Sequence, residues 1–295
     1  MSKFRLPKNI GELKKSGYQT KTVREEIRQN LITKILNGDE IFPGIIGYSD
    51  TVIPQVENAI LAGQDMILLG ERGQAKSRLI RSLINLLDDH VPFISGCEIN
   101  DDPYSPICKA CKETLSKQKG TTPISWLSRE ERYSEKLATP DISVADLVGE
   151  IDPIKVAEGR YLSDEYTIHY GLIPRSNRGI FSINELPDLS ERIQVSLFNL
   201  MEERDIQIKG YRLNLPLDVF LVASANPEDY TNRGRIITPL KDRYGAQIRT
   251  HYPRNPLQEV SIMEQEMVEF PGAKETTLVP SYMKDILAEI TTLLR

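Results

Sequence analysis

The sequence predicts an α/β fold in which a parallel β-sheet is flanked by helices. Three short apolar runs have the length and composition of buried strands, at residues 66–69, 179–183 and 219–223. The first run leads directly into a glycine-containing loop and then a helical pattern, as at the entry to a parallel sheet. The other two runs end in polar residues, and ligands of open α/β sheets lie at the carboxyl ends of strands.

Two helical patterns precede the first strand. Thr22 and Glu25 form a capping-box pattern at the start of a helix over residues 22–37, and Gly38 ends it. A second pattern, over residues 52–60, leads the chain into the first strand.

Further elements follow the second strand. A helix is predicted over residues 189–201, and residues 203–215 alternate apolar and polar side chains around Lys209 and Gly210, which predicts a β-hairpin. The chain returns to helical patterns after the third strand, the last of them over residues 282–295.

A long interval separates the glycine loop from the second strand. Residues 91–94 are predicted as the next strand, but the following strong apolar run begins only roughly eighty residues later. The interval contains a polar, charged stretch at residues 126–136 and a segment with helix and turn signals from residue 138 onward. We expect an insertion that carries function, because long ordered loops in compact domains usually do.

Composition and charge exclude several classes of protein. The 295 residues are 40% apolar, which is enough for a globular core, and 37 basic against 42 acidic residues give a net charge of −5. General electrostatic binding of nucleic acid is not expected, because the charges are interspersed. The sequence has no membrane-length apolar run and no apolar signal at its N-terminus, so we expect no membrane insertion and a cytoplasmic location.

The three cysteines, Cys97, Cys108 and Cys111, fall within fifteen residues. A disulfide framework is not expected in a chain without signs of secretion. The spacing of Cys108 and Cys111 suits zinc, with Cys97 as a third ligand and His90 or a nearby aspartate as the fourth. A zinc knuckle usually has two clean pairs, so the single pair favours reduced thiols in a polar insertion, with zinc as the alternative.

The loop after the first strand reads GERGQAKS and resembles a phosphate cradle. In the pattern G-x-x-x-x-G-K-[ST], backbone N–H groups surround the phosphates, the lysine reaches the outer phosphates and the hydroxyl binds Mg²⁺. Gly70, Lys76 and Ser77 fit these positions at the mouth of a helix. A simple strand-to-helix turn is the alternative, but it does not require Lys and Ser here.

Ala75 stands where the pattern has its second glycine, after Gly73 and Gln74 of the same loop. If Ala75 has a negative φ, its N–H can still point into the cradle. If the loop needs a positive φ there, the extra methyl group costs about 1–2 kcal/mol.

The second and third strands end in side chains that suit phosphate chemistry. Asn184 and Glu185 follow the second strand, where a P-loop ATPase has an aspartate for the Mg²⁺ shell and an acidic residue for the attacking water. Asn184 can accept from a metal-bound water but adds no charge. Asn226, after the third strand, can donate to the γ-phosphate or the water. Each of these stretches alone is also compatible with an ordinary turn.

Together the segments GERGQAKS, GIFSINELPDL, ERDIQIKGYRLNL, SANPEDY and LKDRYG resemble the AAA+ ATPases of the magnesium chelatase I-subunit and MoxR group, the helix-2-insert clade. The resemblance covers about residues 40–255. It implies an ATPase that uses ATP and Mg²⁺, a homo-oligomeric ring that is hexameric by resemblance, and a partner that often has a von Willebrand A domain. It also implies a helix-2 insertion around residues 141–170, a pre-sensor hairpin at 203–215 and a C-terminal helical lid.

The resemblance assigns roles to individual residues. Those that match the family pattern are Lys76 and Ser77 of Walker A, Asn184 and Glu185 of Walker B, Asn226 of sensor 1, Arg243, which relatives project into a neighbour's site, and Ile46 and Gly47 near the adenine. A surface arginine paired with Asp242 is the alternative for Arg243. Ala75 and Asn184 depart from the pattern, and no sensor 2 arginine can be assigned.

The predicted domain organisation has three parts. Residues 1–40 form an N-terminal helical segment, residues 41–255 the AAA+ core with insertions within 97–175, and residues 256–295 the start of an incomplete helical lid.

Two function hypotheses remain open at this level. The first is a ring motor that converts ATP hydrolysis into remodelling of a partner protein. The second is a nucleotide-gated assembly module with little hydrolysis, which Ala75 and Asn184 favour. A chelatase acting on tetrapyrroles is a third reading that rests on family analogy alone.

Overall fold

A five-stranded parallel sheet organises the computed structural model, which describes residues 6–157, 165–203, 206–208, 211–213, 215–226, 234–267 and 278–295. In chain order the strands are β1 (Met66–Leu69), β2 (His90–Ile94), β3 (Ile124–Ser128), β4 (Tyr133–Leu137), β5 (Gly149–Ile151), β6 (Ile168–Tyr170), β7 (Gly179–Asn184), β8 (Ile206–Ile208), β9 (Tyr211–Leu213), β10 (Val219–Ala225) and β11 (Ala246–Arg249). The helices are α1 (Ile10–Lys15), α2 (Val23–Asn37), α3 (Val52–Leu61), α4 (Lys76–Ser82), α5 (Lys109–Gln118), α6 (Val144–Leu147), α7 (Pro153–Ala157), α8 (Leu172–Arg175), α9 (Glu191–Glu203), α10 (Thr238–Arg243), α11 (Pro256–Glu266) and α12 (Ser281–Leu294).

The main sheet has the strand order β11-β1-β10-β7-β4, and every neighbouring pair in it is parallel. Every residue of β1, β7 and β10 is buried, which explains why these strands are continuous apolar runs in the sequence. The predicted α/β fold with a parallel sheet flanked by helices is therefore confirmed.

The strand predicted at residues 91–94 is present as β2, but it lies outside the main sheet. Strand β2 pairs antiparallel with β3. The strand beside β7 is instead β4. It lies in the polar stretch that was predicted to be part of an insertion. An edge strand has a sheet neighbour on one side only, so it can carry Ser134, Glu135 and Lys136 without burying them fully.

The β2–β3 hairpin and α5 form an outlying module, residues 90–128. Its own small core contains Ile10 and Leu13 of α1 together with Ile124, and Trp126 donates from Nε1 to the Pro7 carbonyl at 2.9 Å. The N-terminal segment therefore holds the module on its outer side.

Two further hairpins lie where the resemblance predicts them. Strands β5 and β6 pair antiparallel within the helix-2 insertion, after α6, whose first turn is closed by a capping box of Ser143 and Asp146. Strands β8 and β9 pair antiparallel with Ile206 opposite Leu213. The turn residues predicted for this hairpin, 209–210, lie outside the described residues.

The main sheet separates two hydrophobic cores. One contains α2, α3 and α4 against Met66, Leu68 and Phe220, and the other contains α9 and the helix-2 insertion against Ile67 and Phe181. Alternate residues of β1 thus enter opposite cores, as the pleat of a strand requires.

Helix α2 has the predicted capping box and ends at Gly38 in the left-handed conformation. It is tied to the rest of the molecule by a buried ion pair, in which Arg132 donates two 2.6 Å hydrogen bonds to Glu26. A buried pair with both partners satisfied is costly to break, so α2 is fixed in its position on the sheet.

Helices α11 and α12 pack on each other beyond the sheet. Arg295 forms an ion pair with Glu259 of α11 and lies 4.1 Å from the centre of the Tyr252 ring. Within the part of the chain that the structure describes, no helix has the length and apolar character needed to cross a membrane.

Candidate nucleotide and metal sites

The parallel sheet brings the predicted site residues to one edge. Gly70 follows β1, Asn184 ends β7 and Asn226 follows β10, and these three strands are neighbours. The Gly70 N–H donates to the Ala225 carbonyl at 3.1 Å, so the glycine loop begins directly beside the end of β10. Residues more than a hundred positions apart in the sequence thereby meet at one edge of the sheet.

Gly70 cannot be replaced by a residue that has a Cβ atom. A Cβ atom there would lie 1.9 Å from Thr250 Oγ1 and 2.2 Å from Gln74 Oε1. These two atoms are 2.7 Å apart and hydrogen-bonded, with the Thr250 hydroxyl donating. The buried Gln74 side chain therefore anchors the loop to the end of β11, while its backbone remains part of the cradle.

Ala75 has a φ of 52° and a ψ of 16°, so it occupies the left-handed region. Of the two conformations considered for this residue, the structure adopts the one that favours glycine, at a cost of about 1–2 kcal/mol. Gly73, two residues earlier, has a φ of 78°. The loop keeps a glycine-type backbone at both positions, although only one of them has a glycine.

Lys76 begins α4, and its ammonium group folds back over the loop. The Nζ atom donates to the carbonyls of Gly70 and Glu71, each at 2.6 Å, and the residue is 7% exposed. A cation held against carbonyl oxygens at a helix N-terminus is placed to exchange them for phosphate oxygens. Ser77 follows in the first turn of the same helix.

Asn184 lies in a hydrogen-bonded network that includes a carboxylate. Its Nδ2 donates to Glu135 Oε1 at 2.5 Å, and Ser224 donates from Oγ to Asn184 Oδ1 at 3.2 Å. Glu135 belongs to β4, whose register places Leu137 opposite Asn184. An acidic group thus stands beside Asn184.

Arg81 holds Glu135 from the other side. It donates from Nε and Nη2 to the two carboxylate oxygens, at 2.7 and 2.9 Å. These hydrogen bonds from Arg81 lower the pKa of Glu135, so the carboxylate is ionised at neutral pH. Arg81 is one turn after Ser77 on α4, so both residues are on the same face of the helix. Glu135 was not predicted as a site residue from the sequence, because β4 was not recognised as a strand of the sheet.

Glu185 and Asn226 flank this network. Glu185 is half-buried with a φ of 55°, and its N–H donates to Ser224 Oγ at 3.4 Å. Asn226 is 4% exposed at the end of β10. Few residues other than glycine adopt the left-handed conformation that Glu185 has directly after a buried strand. This conformation turns the Glu185 side chain away from the strand direction.

Tyr48, directly after the Ile46 and Gly47 predicted near the adenine, contacts the glycine loop. Tyr48 is buried, and its hydroxyl is a donor that faces two backbone carbonyls. The Gln74 carbonyl oxygen lies at 2.7 Å and the His251 carbonyl oxygen at 2.9 Å. Burial raises the pKa of Tyr48, so this donor stays protonated.

The same segment reaches the C-terminal helices. Gly47 has a φ of 84°, and a Cβ there would lie 3.1 Å from Gln258 Oε1 of α11. The adenine segment therefore connects the loop with the start of α11.

Arg243 ends α10 and is bound within its own chain. It forms an ion pair with Glu202 of α9 and lies 5.4 Å from the centre of the Phe198 ring. The alternative of a pair with Asp242 does not occur, because adjacent residues on a helix point in different directions. The Arg243 side chain is 44% exposed.

The three cysteines form a cluster with a carboxylate, outside the strand-end edge. One ligand atom each from Cys97, Asp101, Cys108 and Cys111 lies within 4.8 Å of all the others. The nearby aspartate considered as a fourth ligand is thus Asp101, and His90 is not part of the group. Hydrogen bonds from Cys108, and then from Cys111, lower the pKa of Cys97.

No family model matches the chain. A magnesium-chelatase subunit ChlI from Bigelowiella natans is 25% identical over 83% of this chain and 65% of its own length. A ChlI homolog from Methanocaldococcus jannaschii is 28% identical over 70% of this chain and 53% of its own length.

The fold also has a counterpart among solved structures. A cryo-EM-based complex of the magnesium chelatase subunits BchI and BchD matches with a TM-score of 0.51 at 21% identity, over 86% of this chain and 74% of that one. The chain spans about half to two thirds of the length of the curated relatives named above, 65% and 53%.

Proposed function

We propose that this chain, which belongs to the magnesium chelatase I-subunit and MoxR group of AAA+ ATPases, binds ATP with Mg²⁺ at the carboxyl edge of its sheet and hydrolyses it. The observation that carries the proposal is the meeting of Lys76, Asn184 and Asn226 at the ends of three neighbouring strands. Backbone donors of a glycine loop, a cation and polar side chains at one edge are the parts of a phosphoryl-transfer site.

The donor set at this edge fits Mg²⁺. Ser77 supplies a hydroxyl oxygen and Asn184 an amide oxygen, and the ionised Glu135 supplies the negative charge that Asn184 lacks. Oxygen ligands are those that Mg²⁺ prefers, usually with several waters retained between metal and protein. When bound, Mg²⁺ neutralises charge on the phosphates. We infer that Glu135 acts through this water shell, as a positioning residue.

The protein's own side chains account for the remaining roles. Glu185 accepts a hydrogen bond from the attacking water and orients it in line with the γ-phosphate. Asn226 donates to that phosphate or that water, and Lys76 leaves its two carbonyl partners to neutralise the phosphate oxygens. Each role requires a side chain at the strand-end edge.

Arg243 extends the site to a second copy of the chain. In this proposal the subunits form a ring, hexameric by resemblance, and Arg243 leaves Glu202 to contact phosphate in the neighbour's site. The helix-2 insertion and the β8–β9 hairpin transmit the change to a partner protein, of a kind that often has a von Willebrand A domain. An action on tetrapyrroles rests on family analogy alone and would need further subunits.

The test is ATP hydrolysis by the full chain as a function of protein concentration. We expect turnover per chain to rise with concentration and to fall at least about a hundredfold in Glu185→Gln and Arg243→Ala. Arg192→Ala, a change at an exposed arginine of α9, is the matched control and should keep parental turnover. Mixing Glu185→Gln with Arg243→Ala should restore part of the activity, because one intact shared site can form.

The second candidate function, a nucleotide-gated assembly module, is favoured by the strained Ala75 and the neutral Asn184. It predicts that ATP binds and changes the oligomeric state while phosphate release stays at background. That outcome in the parent protein would replace the motor with the switch.

A further inference from the structure

The cysteine cluster has the dimensions of a single metal ion. In a tetrahedral zinc site with Zn–S bonds of about 2.3 Å, ligand atoms are separated by about 3.8 Å. The ligand atoms of Cys97, Asp101, Cys108 and Cys111 all lie within 4.8 Å of one another. One ion fits this spacing with small side-chain adjustments, and it would join two turns of chain that flank the start of α5.

Asp101 gives an independent indication of a missing cation. The residue is completely buried, at 0% exposure, and its Oδ1 has no hydrogen-bond partner among the described residues. Its Oδ2 accepts a hydrogen bond from the Cys108 N–H at 3.0 Å. An unsatisfied carboxylate oxygen in the interior is expensive, and coordination to a cation is an established way to satisfy it.

Backbone donors already favour negative charge on the sulfurs. The Cys111 N–H points at Cys108 Sγ at 3.3 Å, and the Asp101 N–H points at Cys97 Sγ at 3.4 Å. Such N–H groups stabilise metal-bound thiolates by outer-shell hydrogen bonding. Cys108 occupies the N-cap position of α5, where the helix dipole adds to the same effect.

We propose that Cys97, Asp101, Cys108 and Cys111 bind a structural Zn²⁺ ion. Three soft thiolates and one carboxylate, with three of the four ligands buried, select zinc over Mg²⁺ or Ca²⁺, which prefer oxygen ligands. The thiols lose their protons to solvent as the ion binds. All four ligands come from the protein, so the site is structural and leaves no position for substrate.

The zinc site would fix the outlying module against the helix-2 insertion. Glu165, before β6, accepts from the Lys109 N–H at 2.7 Å and from the Tyr170 hydroxyl at 3.1 Å. Cys108 and Cys111 share a hydrophobic core with Ile151 and Ile168 of the β5–β6 hairpin. A cavity of about 180 Å³ separates the two parts beside the cysteines. Zinc thereby sets the position of the insertion that the proposed ATPase cycle moves.

The first experiment is metal analysis of the full chain, purified without chelators or a metal-affinity tag. We expect about one zinc per chain, lost in Cys111→Ser and strongly reduced in Asp101→Asn. Glu98→Gln, an exposed carboxylate in the same loop, is the matched control and should keep the metal. Zinc at the same low level in all four proteins, parent included, would overturn the proposal.

A second measurement keeps the test independent of folding in the variants. The parent chain, stripped of metal under reducing conditions, is titrated with Co²⁺, whose visible spectrum reports tetrahedral thiolate coordination. We expect saturation at about one equivalent, displacement by Zn²⁺ and protection of the module from proteolysis by either ion. Bound iron, a disulfide that removes two titratable thiols, or no Co²⁺ spectrum in folded protein would each overturn the zinc assignment. None of these outcomes depends on ATP hydrolysis.

Discussion

The two candidate metal sites of this chain are built in opposite ways. The edge of the sheet collects Ser77, Glu135 and Asn184 from three distant segments, offers oxygen ligands and leaves Ser77 and Glu135 partly exposed, so we call it the open site. The cysteine cluster draws its ligands from fifteen consecutive residues, offers mainly sulfur and has three of its four ligands buried.

This difference in construction separates two roles that a metal can have. An open oxygen site assembled by sheet register can exchange its ion with each substrate molecule, because the sheet holds the ligands whether or not the ion is present. A closed thiolate site in a small module supports the local fold, so the ion and the fold are coupled. The two sites should therefore respond independently to mutation.

The largest expected effect isolates the open site. Lys76→Ala removes the cation held over the loop, and we expect turnover to fall about 10²–10³-fold, the usual loss for a preorganised charge-stabilising donor. Phosphate release at saturating ATP measures it, with Lys15→Ala, at an exposed lysine of α1, as the control. Zinc content and circular dichroism should match the parent. If Lys76→Ala lost zinc as well, the two sites would not be independent.

A smaller effect asks which group supplies charge at the open site. Glu135→Gln keeps a hydrogen-bond acceptor beside Asn184 but removes the charge, so we expect the Mg²⁺ concentration for half-maximal turnover to rise about tenfold. Asn184→Asp in the same chain should restore the parental requirement, because it returns a carboxylate to the strand end. Glu150→Gln, at an exposed carboxylate of β5, is the control. An unchanged Mg²⁺ requirement in Glu135→Gln would make Glu135 only the partner of Arg81.

The same contrast explains what the sequence could predict. Strands β1, β7 and β10 were predicted because both faces of each are buried, so their side chains are continuously apolar. Strand β4 was missed because an edge strand needs no such run. The position of Glu135 beside Asn184 then depends on the register of β4 with β7, which is a property of the sheet and not of any local pattern.

The cysteine cluster was predictable in a different way. Its ligands are close in sequence, so the spacing of Cys108 and Cys111 already suggested zinc, and a nearby aspartate was one of two fourth ligands considered. The choice of Asp101 over His90 required the β2–β3 hairpin, which buries Asp101 and leaves His90 exposed. The partner of Arg243 likewise could not be predicted from the sequence, because Glu202 lies on another helix.

The free energy of unfolding tests whether Ala75 strains the glycine loop at the open site. Ala75→Gly relieves the left-handed strain of Ala75 but makes the unfolded chain more flexible, so we expect a net stabilisation of about 0.5–1 kcal/mol. Ala62→Gly is the matched control, because Ala62 has a φ of −82° and gains nothing from glycine. We expect it to destabilise the chain by about 0.4–1 kcal/mol. Denaturant unfolding without nucleotide gives both values, and destabilisation by Ala75→Gly would show that the loop carries no such strain.

The smallest expected effect concerns the ion pair behind the open site. Arg81 lowers the pKa of Glu135 in the folded chain from the usual 4.5, so the pair contributes stability that is present above pH 4.5 and is lost as the pH falls through the lower folded-state value. Arg81 is largely exposed, so the contribution at neutral pH is only a few tenths of a kcal/mol. We expect Arg81→Ala to melt slightly below the parent at pH 7, with a difference that narrows as the pH falls below 4.5, whereas Arg192→Ala should match the parent throughout. A gap that widens on acidification would mean that Arg81 stabilises the edge by packing and not through the charge of Glu135.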